Sequence, residues 1–327
     1  IEKGRKNQML PLMMLQRQGR LGFSLSSTGE EVSIVGATSC FSPDDPLFLQ
    51  YRELGAVLWR GVPLIDIFNQ LFANNQDYCK GRQMPVHYCY KEFNIPSVSA
   101  PLGTQLPHAA GAAYAAKLQQ KNVVPLAFLG EGASSTNDFH AALNFSGVFQ
   151  LPVVFFLRNN GFAISTPADR QYACKALASR AEGYGIHGVQ VNGNDLFCVV
   201  KAVKNAIKRA QAGKGATLIE SLTYRLGAHS SSDDPSRYRD PAEFEQAKQA
   251  DGLLLLEKHI IWRGCLTVED CNNLKEKYAK EVAALVDQAE AFAPPPVASM
   301  FDDVYAELPH HLAEQRDALI DDKKQGV

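Results

Sequence analysis

Two runs of consecutive apolar residues, 123–129 and 153–157, mark the middle of the chain. The first ends in Gly130-Glu131-Gly132 and the second in Arg158-Asn159-Asn160-Gly161-Phe162. Runs of this kind predict strands buried on both faces. Between them, residues 138–149 set Phe139, Leu143, Phe145, Val148 and Phe149 at spacings that a helix gathers toward a sheet. The predicted unit is strand, turn, helix, strand, the right-handed crossover of a parallel sheet.

The same reading extends outward. Met9, Leu10, Leu12, Met13, Met14 and Leu15 among Lys, Gln and Arg predict an amphipathic helix within 1–20. A helix is expected over 32–40 after Gly29-Glu30-Glu31, then a turn at Pro43-Asp44-Asp45-Pro46, and a helix of small residues over 109–116. Val189-Gln190-Val191 reads as a strand, Asp195 as the cap of a helix through Ala210, and 217–224 as another strand, which delivers the loop from Arg225 to Arg239. Residues 241–292 are helical in composition, with Trp262 expected in the core, and Pro294-Pro295-Pro296 forms an extended connection. The fold class expected is α/β, a mostly parallel sheet flanked by helices. The chain reads as one domain over 1–327, with a helical arm over about 1–25 and a helical C-terminal extension over about 241–327.

Composition narrows the function. A chain of 327 residues buries a sizeable core, and a formal charge of -2 carries no nucleic-acid or membrane signature. No apolar segment approaches the roughly 20 residues that span a bilayer. The seven cysteines lack zinc spacing and disulfide-scaffold density, and they read as reduced thiols of an intracellular protein. The first residue is Ile1, so a targeting peptide is expected to be trimmed or outside this chain.

The strand ends carry the chemistry. Gly130 and Gly132 let the backbone approach an anion, and the next helix aims free N–H groups at the same place. Glu131 conflicts with that anion unless a divalent cation lies between them. Magnesium takes carboxylate, amide and carbonyl oxygens together with phosphate, which Glu131, Asn160 and the Phe162 carbonyl can supply. A lone Gly-x-Gly is more often only a tight turn. A dinucleotide site fails on Ser135, where a third glycine belongs, and on Arg158-Asn159-Asn160, where a ribose-binding acid belongs. Tyr51 and Arg52 offer a phenol and a guanidinium to phosphate oxygens, although by spacing alone they read as a surface pair. His229 leaves a strand end beside a serine and acid run, and its residue type titrates near neutral pH.

Gly130-Glu131-Gly132 followed after 26 residues by Asn159-Asn160 resembles the thiamine-diphosphate motif. Arg158 to Pro167, the Lys80-Gly81-Arg82-Gln83-Met84-Pro85-Val86-His87 loop and residues 300–309 extend the likeness over nearly the whole chain. It is similar to the alpha subunit of the branched-chain 2-oxo acid dehydrogenase, with Glu131 where many members carry Asp. The resemblance implies oxidative decarboxylation of branched-chain 2-oxo acids with acyl transfer to a lipoyl group. It implies Tyr51, Arg52 and Arg158 on the diphosphate, Gly132 and Ala133 beside it, the backbone of Ala100 on the aminopyrimidine and Leu102 against the bent cofactor. Magnesium falls to Glu131, Asn160 and Phe162, and a structural potassium to Ser99, Pro101, Thr104 and Gln105. His229 becomes the catalytic histidine and Ser230 a phosphorylation site for a regulatory kinase. Ala228 departs from the His-His pair of the animal enzyme.

The glutamate that thiamine chemistry needs has no second α/β domain to carry it here, so a beta subunit in an alpha2beta2 assembly is the implied partner. A lipoyl-bearing acyltransferase core is the next. The implied location is the mitochondrial matrix in a eukaryote and the cytoplasm in a bacterium. Alternatives are the alpha subunit of a pyruvate or acetoin dehydrogenase and, from another class, a non-catalytic assembly subunit. His87 is given only a structural or subunit-contact role.

Overall fold

The computed structural model describes residues 15–324. Most of the arm expected over 1–25, including Met9, Leu10, Leu12, Met13 and Met14, lies outside the described residues.

Five parallel strands form one sheet: β1 (Leu47–Phe48), β2 (Leu126–Gly130), β3 (Val154–Asn159), β6 (His187–Asn192) and β7 (Thr217–Leu222), ordered β1-β2-β3-β7-β6. Two short strands, β4 (Phe162–Ala163) and β5 (Thr166–Pro167), make a separate antiparallel hairpin just past β3.

Successive side chains of a strand point to opposite faces, and both faces of this sheet are covered. Phe128 and Phe156 meet at 5.5 Å between ring centres on one face, where Ile219 joins them. That face packs against α1 (Glu31–Thr38), α2 (Leu54–Trp59), α3 (Leu64–Phe72) and α6 (Leu196–Gln211) through Ile34, Val57, Phe68 and Val199. Ala127, Leu129, Phe155 and Leu157 point the other way, toward α4 (Gln105–Leu118) and α5 (Asn137–Val148). Ala109, Ala110 and Ala113 are fully buried or nearly so, and such short side chains let α4 lie close to the sheet. The Asp195 carboxylate accepts from Phe197 N and Cys198 N, and so caps α6 as its position predicts.

Three helices follow the sheet: α7 (Pro241–Gln249), α8 (Gly252–Trp262) and α9 (Val268–Glu290). A capping box of Thr267 and Asp270 starts α9, which packs on α3. Asn74 Nδ2 donates to Ala289 O at 2.8 Å and ties that packing together. The last helix is α10 (His310–Lys324).

Two expectations about burial do not hold. Phe139 and Leu143 are buried, but Phe145, Val148 and Phe149 stand on the outer face of α5, with Val148 68% exposed. A helix presents only one stripe to a sheet, and these three fall outside it. Trp262 is 77% exposed at the end of α8, against His259 rather than in the core.

Candidate active site

Parallel pairing brings the carboxyl ends of β2, β3 and β7 to one level, with Gly130, Arg158 and Ser221 in register. The loops leaving these ends enclose a cleft of about 450 Å3, counting the part open to solvent. Of the residues singled out from sequence, Tyr51, Arg52, Leu102, Glu131, Gly132, Ala133, Arg158, Asn160, Phe162 and His229 all line it. Ser99, Ala100, Pro101, Thr104, Gln105 and Ser230 do not.

Glu131 follows β2 directly and is 2% exposed. Among the described residues it has no salt-bridge partner, and Oε2 accepts from Asn160 N at 3.3 Å. Burial, with the charge of Glu30 adding to it, pushes its pKa up to about 7 against backbone donors and Arg225. The turn around it is tight: a Cβ on Gly132 would lie 2.8 Å from Ala163 Cβ.

Asn159 and Asn160 fold the chain back on itself, their Oδ1 atoms accepting from Gly161 N at 3.1 Å and Phe162 N at 3.2 Å. Gly161 takes φ +84°, the left-handed conformation that such a turn requires.

Arg158 is 3% exposed, and its two terminal nitrogens go to carboxylates: Nη1 to Glu30 at 3.2 Å and Nη2 to Glu53. Burial works against its charge, but Glu53 and Glu30 outweigh it and raise the pKa. Nε is buried without a partner among the described residues and remains for a ligand. Glu53 also accepts from Gln50 N and Tyr51 N, both at 2.9 Å, and so shapes the turn that presents Tyr51 and Arg52.

Arg52 is likewise committed inside the protein. Nη1 donates to Ser26 O at 2.7 Å, while Nη2 donates to His229 O at 2.6 Å and lies 3.0 Å from His229 Nδ1. Its ring neighbour Tyr51 meets His229 edge-on at 6.4 Å. Arg225, 2% exposed, reaches the same Nδ1 at 3.4 Å, Ile164 O at 3.1 Å and Tyr238 Oη at 3.3 Å. The loop is fixed further by Asp233, whose Oδ2 accepts from His229 N at 2.6 Å and from Tyr238 Oη at 2.7 Å. Burial first, then Arg52 and Arg225, lower the His229 pKa to about 4, with Asp233 pulling the other way. His229 is therefore neutral near pH 7. Guanidinium groups only donate, so Nδ1 accepts and the ring proton sits on Nε2.

The loop carrying Ser99, Ala100 and Pro101 turns at Gly103, whose φ is +94° and where a Cβ would meet Thr136 Oγ1 at 2.4 Å. Thr104 Oγ1 donates to Pro101 O at 3.0 Å, and Gln105 Nε2 to Phe128 O at 2.9 Å. His87 is buried, with Nδ1 3.1 Å from Pro85 O, and does not line the cleft.

Sequence reasoning gave no role to Glu30, Glu53 and Arg225. Arg225 leaves β7 much as Arg158 ends β3, and that parallel was available as a signal. Glu30 and Glu53 reach Arg158 across 128 and 105 residues of chain, and nothing local announces either contact.

Comparison with known proteins places this architecture. A family model described as "Dehydrogenase E1 component" matches residues 6–298. The chain is 43% identical over 305 residues to the 2-oxoisovalerate dehydrogenase subunit alpha, mitochondrial, of Bos taurus, which covers 93% of this chain and 67% of that protein. The human protein of the same name is 42% identical over 305 residues, 93% of this chain and 68% of its own length. The subunit alpha 1 of Arabidopsis thaliana is 41% identical over 301 residues, 92% of this chain and 64% of its own. The chain thus spans about two thirds of the length of these curated relatives. A parallel sheet with a polar cleft at its carboxyl ends, matched by the family model over most of its length, belongs to the dehydrogenase E1 component family.

Proposed function

We propose that this chain is the alpha subunit of a branched-chain 2-oxo acid dehydrogenase that holds thiamine diphosphate and magnesium in the cleft. The carrying observation is Glu131: a buried carboxylate without a salt-bridge partner among the described residues, beside an asparagine turn and below a glycine cradle, in a chain similar over 93% of its length to 2-oxoisovalerate dehydrogenase alpha subunits.

The residues fit such a group by their chemistry. Glu131, Asn160 and the Phe162 carbonyl offer hard oxygens to magnesium. Arg158 Nε and Arg225 Nε are buried donors without partners on residues that line the cleft, and either suits a phosphate oxygen. Tyr51, Arg52, Gly132, Ala133 and the Ala100 backbone complete the proposed cofactor contacts, with Leu102 at the cleft wall. Potassium at Ser99, Pro101, Thr104 and Gln105 belongs to the same reading, since Gln105 Nε2 is already given to Phe128 O and leaves Oε1 for an ion.

Bound here, thiamine diphosphate would supply the electron sink for loss of carbon dioxide from a 2-oxo acid. The chain's own part is to orient and to exclude water. His229, neutral and carrying its proton on Nε2, is a donor that can steady a developing negative charge or hand over a proton. Arg52 and Arg225 keep that tautomer. A phosphate on Ser230, next to His229, would add about two negative charges beside the entrance, which supports Ser230 as the target of a regulatory kinase.

The partners proposed are a beta subunit that supplies the activating glutamate and a lipoyl-bearing acyltransferase core. A face on α4 and α5 suits a partner chain: Leu118, Phe145, Val148 and Phe149 are exposed there, and nothing lies within 4 Å of a Cβ built on Gly111. Among the described residues no helix is long and apolar enough to cross a membrane. The mitochondrial relatives support a matrix location.

The deciding experiment is co-purification with candidate beta chains, followed by decarboxylation assays across 2-oxo acids. The proposal predicts 3-methyl-2-oxobutanoate as the better substrate. Pyruvate used far better would replace it with a pyruvate dehydrogenase reading, and no turnover with any acid would favour an assembly role.

A further inference from the structure

Each of the paired asparagines at the end of β3 is gripped by its own buried carboxylate. Asn159 Nδ2 donates to Glu220 Oε1 at 2.8 Å, and Asn160 Nδ2 donates to Glu30 Oε1 at 3.3 Å. A primary amide has a donor end and an acceptor end, and an ionised carboxylate only accepts. Glu30 can therefore engage only the NH2 end of Asn160, which leaves Oδ1 on the side of Phe162 N, on a residue that lines the cleft.

Glu30 does more than balance a charge. It is 1% exposed and also accepts from Thr223 Oγ1 at 3.2 Å and Arg158 Nη1 at 3.2 Å. The single charge of Arg158 already has a partner in Glu53, so Glu30 is a second carboxylate facing one guanidinium. Glu30 lies under the cleft, where its charge acts on Arg52 as well as Arg158 and also on Glu131.

We propose that Glu30 is a positioning residue for the cation site, fixing the amide of Asn160 so that Oδ1 faces the ion and adding negative charge behind it. This rests on the functional reading above. Partners that orient a metal ligand commonly change affinity by about 10- to 100-fold when removed.

The test uses the assembled complex with its beta chain and Mn2+ as the probe, titrated by electron paramagnetic resonance with thiamine diphosphate present. Glu30→Gln should weaken Mn2+ binding by about tenfold or more, because a glutamine can meet Asn160 with either end. Glu220→Gln is the comparator: it loosens the neighbouring amide of Asn159 without touching Asn160, and should lower the melting temperature while leaving Mn2+ affinity within about twofold of wild type. If Glu30→Gln does not assemble, Glu30→Asp keeps the charge, pulls it back from Asn160 and should also weaken Mn2+ binding. Unchanged Mn2+ affinity in the Glu30 variant, or equal weakening by the Glu220 variant, overturns the proposal and leaves only an ion-pair role. A wild-type complex that takes up no Mn2+ with thiamine diphosphate overturns the functional reading as well.

Discussion

Arg52 holds His229 at two points, donating to its carbonyl oxygen at 2.6 Å and lying 3.0 Å from its Nδ1. One guanidinium thus sets both the backbone and the ring of the residue that the proposed chemistry depends on. Arg52→Met should free the ring and remove one of the two charges that depress it. The His229 titration is expected to move up from about 4 toward the ordinary histidine value, as read by proton NMR of the ring. Turnover should fall by roughly 10- to 100-fold with it.

His229 also makes stability depend on pH. The unfolded chain protonates this ring near the ordinary value of 6.5, whereas the folded chain does so only near 4. The unfolded state binds more protons between these values, so stability is highest above the upper one and falls as pH drops toward the lower. After discounting for the ring's partial exposure, the loss should be roughly 2 kcal/mol. Glu131, raised to about 7, acts in the opposite sense, so the measurement belongs in a Glu131→Gln background. Denaturant melts at pH 7 and pH 4.5 should differ there, and adding His229→Gln should shrink the difference, with His187, also lowered by burial, leaving a remainder.

The Arg158 ion pairs lie almost wholly out of water. Arg158→Met would leave Glu30 and Glu53 buried with no cation between them. The expected cost is about 3–5 kcal/mol in urea unfolding. A far smaller cost would mean that water reaches the pair.

Gly132→Ala places a methyl group 2.8 Å from Ala163 Cβ. The turn should shift, and thiamine diphosphate affinity in the complex should fall by at least about tenfold, near 1.4 kcal/mol. Ala163→Gly opens that space, so the double variant should regain much of the loss in a calorimetric titration.

The central crossover was legible because β2 and β3 are covered on both faces and so read as unbroken apolar runs. Asp195 was legible as a cap because capping is local. The outer residues of α5 and Trp262 were misread for one reason: an apolar side chain reports what it can bury, not what it does bury. Glu131, Asn160 and His229 stood out because each sits at a strand exit in a short motif. Their support was hidden. Glu30 reaches Asn160 across 130 residues and Arg52 reaches His229 across 177, distances at which only the folded sheet brings partners together.

The shared level of Gly130, Arg158 and Ser221 predicts where the gene can drift in length. One codon added inside β3 would turn Leu157 toward the acids that Arg158 now meets and send the guanidinium to the opposite face, where Asn159 now meets Glu220 and Tyr172, because side chains alternate along a strand. The same codon added beyond Gly213, in the exposed turn before β7, would only lengthen a connection. Orthologues should therefore vary in loop size while these strand lengths stay frozen.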